Sequence, residues 1–308
     1  MNTFILRWNP AISSYKMAEH KNVCRQIKEK EPVLYNWSIR EWQELHAGDA
    51  FVLLQVGTDN DGIAMIGKFI SEPYEANSWR KDGSMIHYAD IHVFYACDLD
   101  EKKFFRSAYF ESKFPAIKWH GGHSGEKVSA QDSNRLITRI DFAMKNTYGF
   151  ESTNFTDFLQ NDNRFMPINQ EAKKEELLAL LAPYNPVVHT GEEENYDWLF
   201  DEEEFAIEIK NPSSVSPGED ICIAFEDSVN SEFTLYFAGW HEYFKMNEGD
   251  YARFLDVLKS ILENKVYLLE VFDKKRGLEP IFSQLLPVNQ SKVKMVQWND
   301  SKSSDVKL

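Results

Sequence analysis

The hexapeptide GTDNDG, residues 57–62, separates two apolar runs and must reverse the chain between them. Gly, Asn and Asp accept the positive φ angles of tight hairpins, so the hexapeptide predicts a turn. Residues 50–56 and 63–70 predict the strands on either side, pairing back across it. Residues 67–70 read as a buried strand, after which Ser71-Glu72-Pro73-Tyr74 turns the chain out toward Trp79.

Other elements arrange themselves around that hairpin. Residues 4–8, FILRW, predict a first strand, stopped by Asn9-Pro10. Residues 14–29 predict a short helix carrying Tyr15, Met17 and Val23. Ser38 reads as the N-cap of a helix over 39–46, with Trp42 and Leu45 on its apolar face. Residues 85–97 predict a further strand, and 107–119 a helix before Pro115. HGGHSG, residues 120–125, predicts a loop, and 129–144 a helix with Leu136, Ile137 and Ile140 inward. The order implies a small, mostly antiparallel barrel with helical insertions over residues 1–150.

Residues 147–170 show no clean period, although four Phe within them suggest partial docking, and 151–175 read as a linker. Residues 170–181 predict a helix. Strands at 221–225, 233–237 and 265–272 and a helix at 248–262 then predict a smaller α+β domain over 176–298. The polar residues 299–308 read as a disordered tail. The whole chain is thus expected to be α+β.

Charge separates the same two parts. Residues 1–150 hold 19 basic and 19 acidic side chains, and the remainder 15 basic and 30 acidic, so the net −15 lies entirely in the second half. A neutral first half can carry a local basic face, whereas the acidic half would repel phosphate and suit a basic protein partner. Three widely spaced cysteines, Cys24, Cys97 and Cys222, form no CxxC and fit a reducing compartment. The start lacks the pattern of a signal peptide, and no run approaches the roughly 18 apolar residues of a membrane span. The expectation is a cytoplasmic protein without membrane contact.

An ordered set of motifs adds a resemblance. An opening strand ends in Trp8-Asn9-Pro10. Trp37-Ser38 leads to Gly48-Asp49 before a strand. GIAMIGKFISEPY, residues 62–74, is followed by Trp79, and HSGEKVSAQDSNRL, residues 123–136, supplies a Ser-Gly loop and a closing helix. Over residues 1–145 this resembles the EVE domain and its PUA-like relatives, among them the YTH readers of methylated adenine and base-reading modules of modification-dependent restriction systems. The resemblance implies a small barrel whose pocket accepts a flipped, modified base on DNA or RNA. The second half is only faintly similar to small bacterial α+β domains, some near toxin–immunity loci.

The chemistry of such a pocket suits the residues present. Aromatic walls stack on a base for about 1–3 kcal/mol each, and a polar group reads its edge. Trp8, Trp37, Trp79 and Trp119 supply candidate walls, with Tyr74 beside them. Asn9, Ser38, Ser124 and Gly125 supply candidate edge-reading side chains and amides. The loop after residue 74 is expected to place Trp79 over the mouth, facing Trp37-Ser38 and His123-Ser124-Gly125. Trp42 is expected in the core.

Catalytic readings fare worse. Ser124 is followed directly by Gly125 and Glu126, so the hydrolase elbow Gly-x-Ser-x-Gly is not formed. His120 and His123 lack a nearby third metal ligand. His46, His87 and His92 stand singly and read as structural, as does His241, expected partly buried at a strand end. No P-loop, GxGxxG or HExxH occurs. The expected function is non-catalytic binding of a modified base without cofactor or metal. The alternative is a protein-interaction or immunity-type module acting through the acidic domain.

Overall fold

The hairpin at GTDNDG forms as its sequence predicts. Strand β3 (Ala50–Gln55) pairs antiparallel with β4 (Gly62–Phe69), with a bulge between Leu53 and Leu54. The turn is closed from within, because the Thr58 amide and hydroxyl both donate to Asp61 Oδ1, at 2.8 and 3.1 Å. The computed structural model describes residues 1–148, 154–191, 204–211, 220–227, 232–237, 240–263, 268–271, 278–280, 293–296 and 305–306. The chain divides into two compact units, Met1–Pro167 and Ile168–Leu308.

In the first unit the hairpin is the middle of a sheet. β1 (Thr3–Trp8) lies parallel to β3, and β7 (Glu126–Lys127) pairs on the far side of β1. β6 (Met85–Ala96) pairs with β4, β2 (Val33–Ser38) with β6, and the short β5 (Tyr74–Asn77) with the start of β6. The order is β2-β6-β4-β3-β1-β7. The parallel β1–β3 pair departs from the expected antiparallel pattern. Its crossover carries α1 (Met17–Lys28) and β2. The sheet curls until its edges meet: Arg40 and Glu41, just after β2, donate their amides to the carbonyls of Ser124 and Gly125, just before β7.

Alternation along the strands sends side chains to two cores. Phe4, Leu6, Trp8, Phe51, Leu53 and Phe69 pack with Val23 and Cys24 of α1. Ile5, Val52, Leu54 and Ile66 pack on the opposite face with Leu136, Ile137 and Ile140 of α2 (Ala130–Tyr148). Phe155, Phe158 and Leu159 of α3 (Phe155–Asn161) join that second core. The segment expected as a linker therefore begins with a docked helix. Lys68 of β4, only 1% exposed, fastens it by donating to the carbonyls of Phe158 and Asp162. The end of that segment holds α4 (Gln170–Leu181), capped by Asn169.

Two expected helices do not form. Ser38 is the last residue of β2, paired with Tyr88, and only a single 3-10 turn follows at Trp42–Glu44. The amides of Ile39, Arg40 and Glu41 donate to the carbonyls of His87, Ser124 and Gly125, which carries the extended chain of β2 on past Ser38. Over residues 107–119 there is one 3-10 turn, Ser107–Tyr109, instead of a helix. Phe110, Phe114, Ile117 and Trp119 are all buried in one core, and the residue before Pro115 is biased away from helical angles.

The second unit contains an antiparallel meander, β12-β11-β10-β9-β8. Its strands are β8 (Val187–His189), β9 (Phe205–Ile209), β10 (Ile221–Asp227), β11 (Glu232–Phe237) and β12 (Trp240–Lys245). α4 and α5 (Glu248–Leu262) close its core through Leu177, Leu181, Phe254 and Leu258. Phe205, Phe225, Phe233 and Phe244 stack in series across the strands. The strand expected at 265–272 is β13 (Leu268–Val271), in a second small sheet with β14 (Leu278–Pro280), β15 (Val293–Val296) and β16 (Asp305–Val306). β16 falls inside the tail expected to be disordered. The rest of 299–308, the acidic stretch 192–203 and residues 212–219 lie outside the described residues. Among the described residues no helix is long and apolar enough to cross a membrane.

Candidate functional site

A cleft of about 980 Å³ opens in the first unit where the two edges of the curled sheet meet. Its aromatic lining comes from four places: Tyr15 before α1, Tyr35 and Trp37 on β2, Trp79 after β5, and Tyr88 on β6. Tyr35 and Trp37 are two apart on one strand and so share a face. Tyr15 packs edge-on against both, each at 5.6 Å between ring centres.

The floor of this aromatic group is fixed by buried polar bonds. Tyr15 donates its hydroxyl to His20 Nδ1 at 3.2 Å, and His20 Nε2 donates to the Cys97 carbonyl at 2.9 Å. The carbonyl can only accept, so the proton of the ring sits on Nε2. Burial holds His20 below its ordinary pKa, which keeps the ring neutral, and pushes the Tyr15 phenol up.

The 120–125 loop forms the polar wall. Arg7 donates its guanidinium to the carbonyls of Lys118 and His123 and pairs with Glu126 at 2.9 Å. Burial lowers the Arg7 pKa, and Glu126 offsets only part of that effect. Gly122, at φ +108°, lets the loop pass this close, since a Cβ there would lie 2.9 Å from Arg7 Cζ. Ser124 Oγ accepts two bonds, from the Arg7 amide at 3.2 Å and from Trp37 Nε1–H at 3.1 Å. At the loop's start His120 bridges Asp61 and Glu111, at 3.1 Å each. Those bonds, Glu111 first, hold the imidazole above its ordinary pKa.

Five of the nine candidate residues line the cleft: Asn9, Trp37, Ser38, Trp79 and Ser124. Trp79 is half-buried, its amide donates to the Tyr88 hydroxyl at 2.9 Å, and the Arg80 guanidinium lies over its ring at 5.1 Å. The other four serve the fold. Trp8 and Trp119 are 1% and 3% exposed, and each spends its indole N–H on a backbone carbonyl, of Tyr15 and Phe114 respectively. Gly125 is needed for close approach, because a Cβ would lie 2.7 Å from the Arg40 amide nitrogen. Tyr74 stands behind the lining, stacked on Tyr88, with its hydroxyl donating to Asp90 at 2.8 Å. Burial, then Asp90, push its phenol up to about 12. Trp42, expected in the core, is half-buried and stacks on His87 at 3.9 Å.

Sequence reading missed Arg7, Tyr15, Tyr35 and Tyr88. Tyr35 carried a usable signal, since it shares strand parity with Trp37. Charge on the lining is unbalanced, with Arg7, Arg40 and Arg80 against Glu19. In the second unit His241 is exposed beside Tyr236 and Tyr243, not partly buried. Among the described residues no group of three or more His, Cys, Asp or Glu is placed to hold a metal ion.

No protein-family model and no curated protein matches the sequence. Solved structures similar to part of the chain include a YTH domain-containing protein, mmi1, in complex with RNA. It is 14% identical over 47% of this chain and 83% of that chain, with a TM-score of 0.30. Human THYN1 in complex with 5-methylcytosine-containing DNA is 13% identical over 45% of this chain and 97% of that one, TM-score 0.29. A hypothetical protein from Leishmania major is 14% identical over 47% and 97%, TM-score 0.28. Likenesses this loose leave the site to be read from the chain's own geometry.

Proposed function

We propose that the first unit binds nucleic acid by taking a flipped, modified base into the cleft of Trp37 and Trp79. The observation that carries this is the convergence of five aromatic side chains and two exposed arginines, Arg40 and Arg80, with one glutamate, on a single cleft. Its volume lies at the upper end of the range for small-molecule pockets, about 300–1,000 Å³, which leaves room for a nucleotide. Flat rings recover the cost of unstacking a base, and cationic rims hold the phosphates on either side. Among the described residues no histidine or carboxylate bonds the Ser124 hydroxyl, so the proposal is of a binder and not of a nucleophile.

The test is titration of the full chain with DNA and RNA oligonucleotides bearing methylated or hydroxymethylated bases, alongside unmodified controls. Preference for a modified base supports the reading. Equal affinity for modified and unmodified strands removes the modified base from it, and absence of binding to every oligonucleotide overturns it.

A further inference from the structure

The hydrogen-bonding capacity of Ser124 is filled on one side only. A serine hydroxyl offers two acceptor lone pairs and one donor hydrogen. Both lone pairs of Ser124 Oγ are engaged, by the Arg7 amide at 3.2 Å and by Trp37 Nε1–H at 3.1 Å. An amide and an indole N–H only donate, so neither can take the serine hydrogen in return. That hydrogen has no acceptor among the described residues, and the side chain lines the cleft beside Trp37.

The group is also held in place. The Ser124 carbonyl accepts the Arg40 amide at 3.1 Å, and the next amide, Gly125, donates to Ile5 at 2.9 Å. The preceding carbonyl, His123, accepts from the Arg7 guanidinium, itself paired with Glu126 at 2.9 Å. An ordinary serine reads donors and acceptors alike by rotating its hydroxyl. Here rotation to accept would forfeit a bond already made, and a buried N–H left unpaired is costly.

We propose that Ser124 is the specificity determinant of the cleft: a one-way donor that selects a planar base presenting an in-plane acceptor. This rests on reading the cleft as a base pocket. The chemical consequence is directional. Methylation at an exocyclic or ring-carbon position leaves the ring's acceptors intact and is compatible with Ser124. Alkylation or protonation of the ring nitrogen facing Ser124 removes the acceptor and is rejected.

The experiment measures binding of the full-length protein to oligonucleotides carrying one N6-methyladenine or one 5-methylcytosine. Companion strands replace one ring nitrogen at a time by C–H, or the ring carbonyl oxygen by sulfur, with little change of shape. One such replacement should weaken wild-type binding about tenfold. The same replacement should have no effect on Ser124→Ala. Ser124→Cys, which keeps the size but donates weakly, should show a reduced penalty and guards against a shifted loop in the alanine variant. Wild-type indifference to every replacement overturns the proposal whether or not the variants fold. So does a penalty that persists undiminished in both variants. Failure to bind any oligonucleotide would instead overturn the base-pocket reading, and this inference with it.

Discussion

The Trp37 indole donates to Ser124 Oγ at 3.1 Å, tying β2 to a loop 87 residues away in sequence. The bond spans the seam where the curled sheet closes, next to the Arg40 and Glu41 amides that bond the same loop. Trp37 is 8% exposed and packs on Tyr15, so it belongs to the core as well as to the cleft wall. Two substitutions separate these roles. Trp37→Phe keeps a ring and loses the bond, costing about 1 kcal/mol of stability. Trp37→Ala also empties the core position and costs about 3–5 kcal/mol. Urea melts of the two variants check this. Equal costs would mean that the bond, and not the ring's packing, carries the contribution.

Trp79 behaves differently, because its side chain is half-buried at the cleft and its fixed contact is through the backbone. The amide bond to the Tyr88 hydroxyl survives truncation of the ring. Trp79→Ala should therefore change the melting midpoint little. It should weaken oligonucleotide binding by about 1–3 kcal/mol, the usual value for one stacked base. A loss of stability as large as that of Trp37→Ala would place the ring in the core and remove it from the site.

What the sequence disclosed and what it hid follow from the range of the interactions. The hairpin was legible because GTDNDG and its flanking strands are adjacent, and α1, α2 and α5 because their apolar spacing is local. The absent helix after Ser38 was not, since its decisive bonds run to His87 and to residues 124–125. The cleft divides in the same way. Trp37, Trp79 and Ser124 stand out as aromatic or loop residues amid polar neighbours. Arg7 looked like any strand residue, because what makes it part of the site is a pair of carbonyls and Glu126 more than a hundred positions on. Trp8 and Trp119 misled for the opposite reason: a tryptophan near a strand end or loop reads as accessible until the carbonyl that takes its N–H is known.

Stability should fall on mild acidification. His92, 3% exposed, faces Phe158 and Phe165, with Lys68, Asp162 and Arg164 nearby. Burial first, with Arg164 and Lys68 assisting against Asp162, holds its pKa down at about 4. A lowered histidine pKa means that the unfolded chain binds the proton first. The contribution is complete above about pH 6.5 and is lost as pH falls toward the folded value, to a total on the order of 3 kcal/mol. His20 acts in the same direction. His120, with a raised pKa, acts oppositely, its contribution fading as pH rises through the folded value. Urea melts at steps between pH 7 and pH 4 should show the loss, and His92→Leu should flatten it. An equal slope in that variant would exclude His92 as a source.

The cationic rim gives the cleft a salt signature. Arg40 and Arg80 are exposed, whereas Arg7 is engaged with Glu126 and three carbonyl contacts and is not free to meet a phosphate. Each exposed arginine that neutralises a phosphate releases a counterion, adding about 0.9 to the slope of log affinity against log salt on duplex DNA and about 0.7 on single strands. Arg40→Ala and Arg80→Ala should each lower the slope by about that much, and the double variant by the sum. The ratio of affinities for modified and unmodified bases should survive in Arg40→Ala, since phosphate contacts carry no base information. Arg80→Ala should erode that ratio as well, because the guanidinium over the Trp79 ring helps to hold the stacking surface. Anisotropy titrations from low to moderate salt would read both quantities together. An unchanged slope in the double variant would mean that the strand does not pass over this rim.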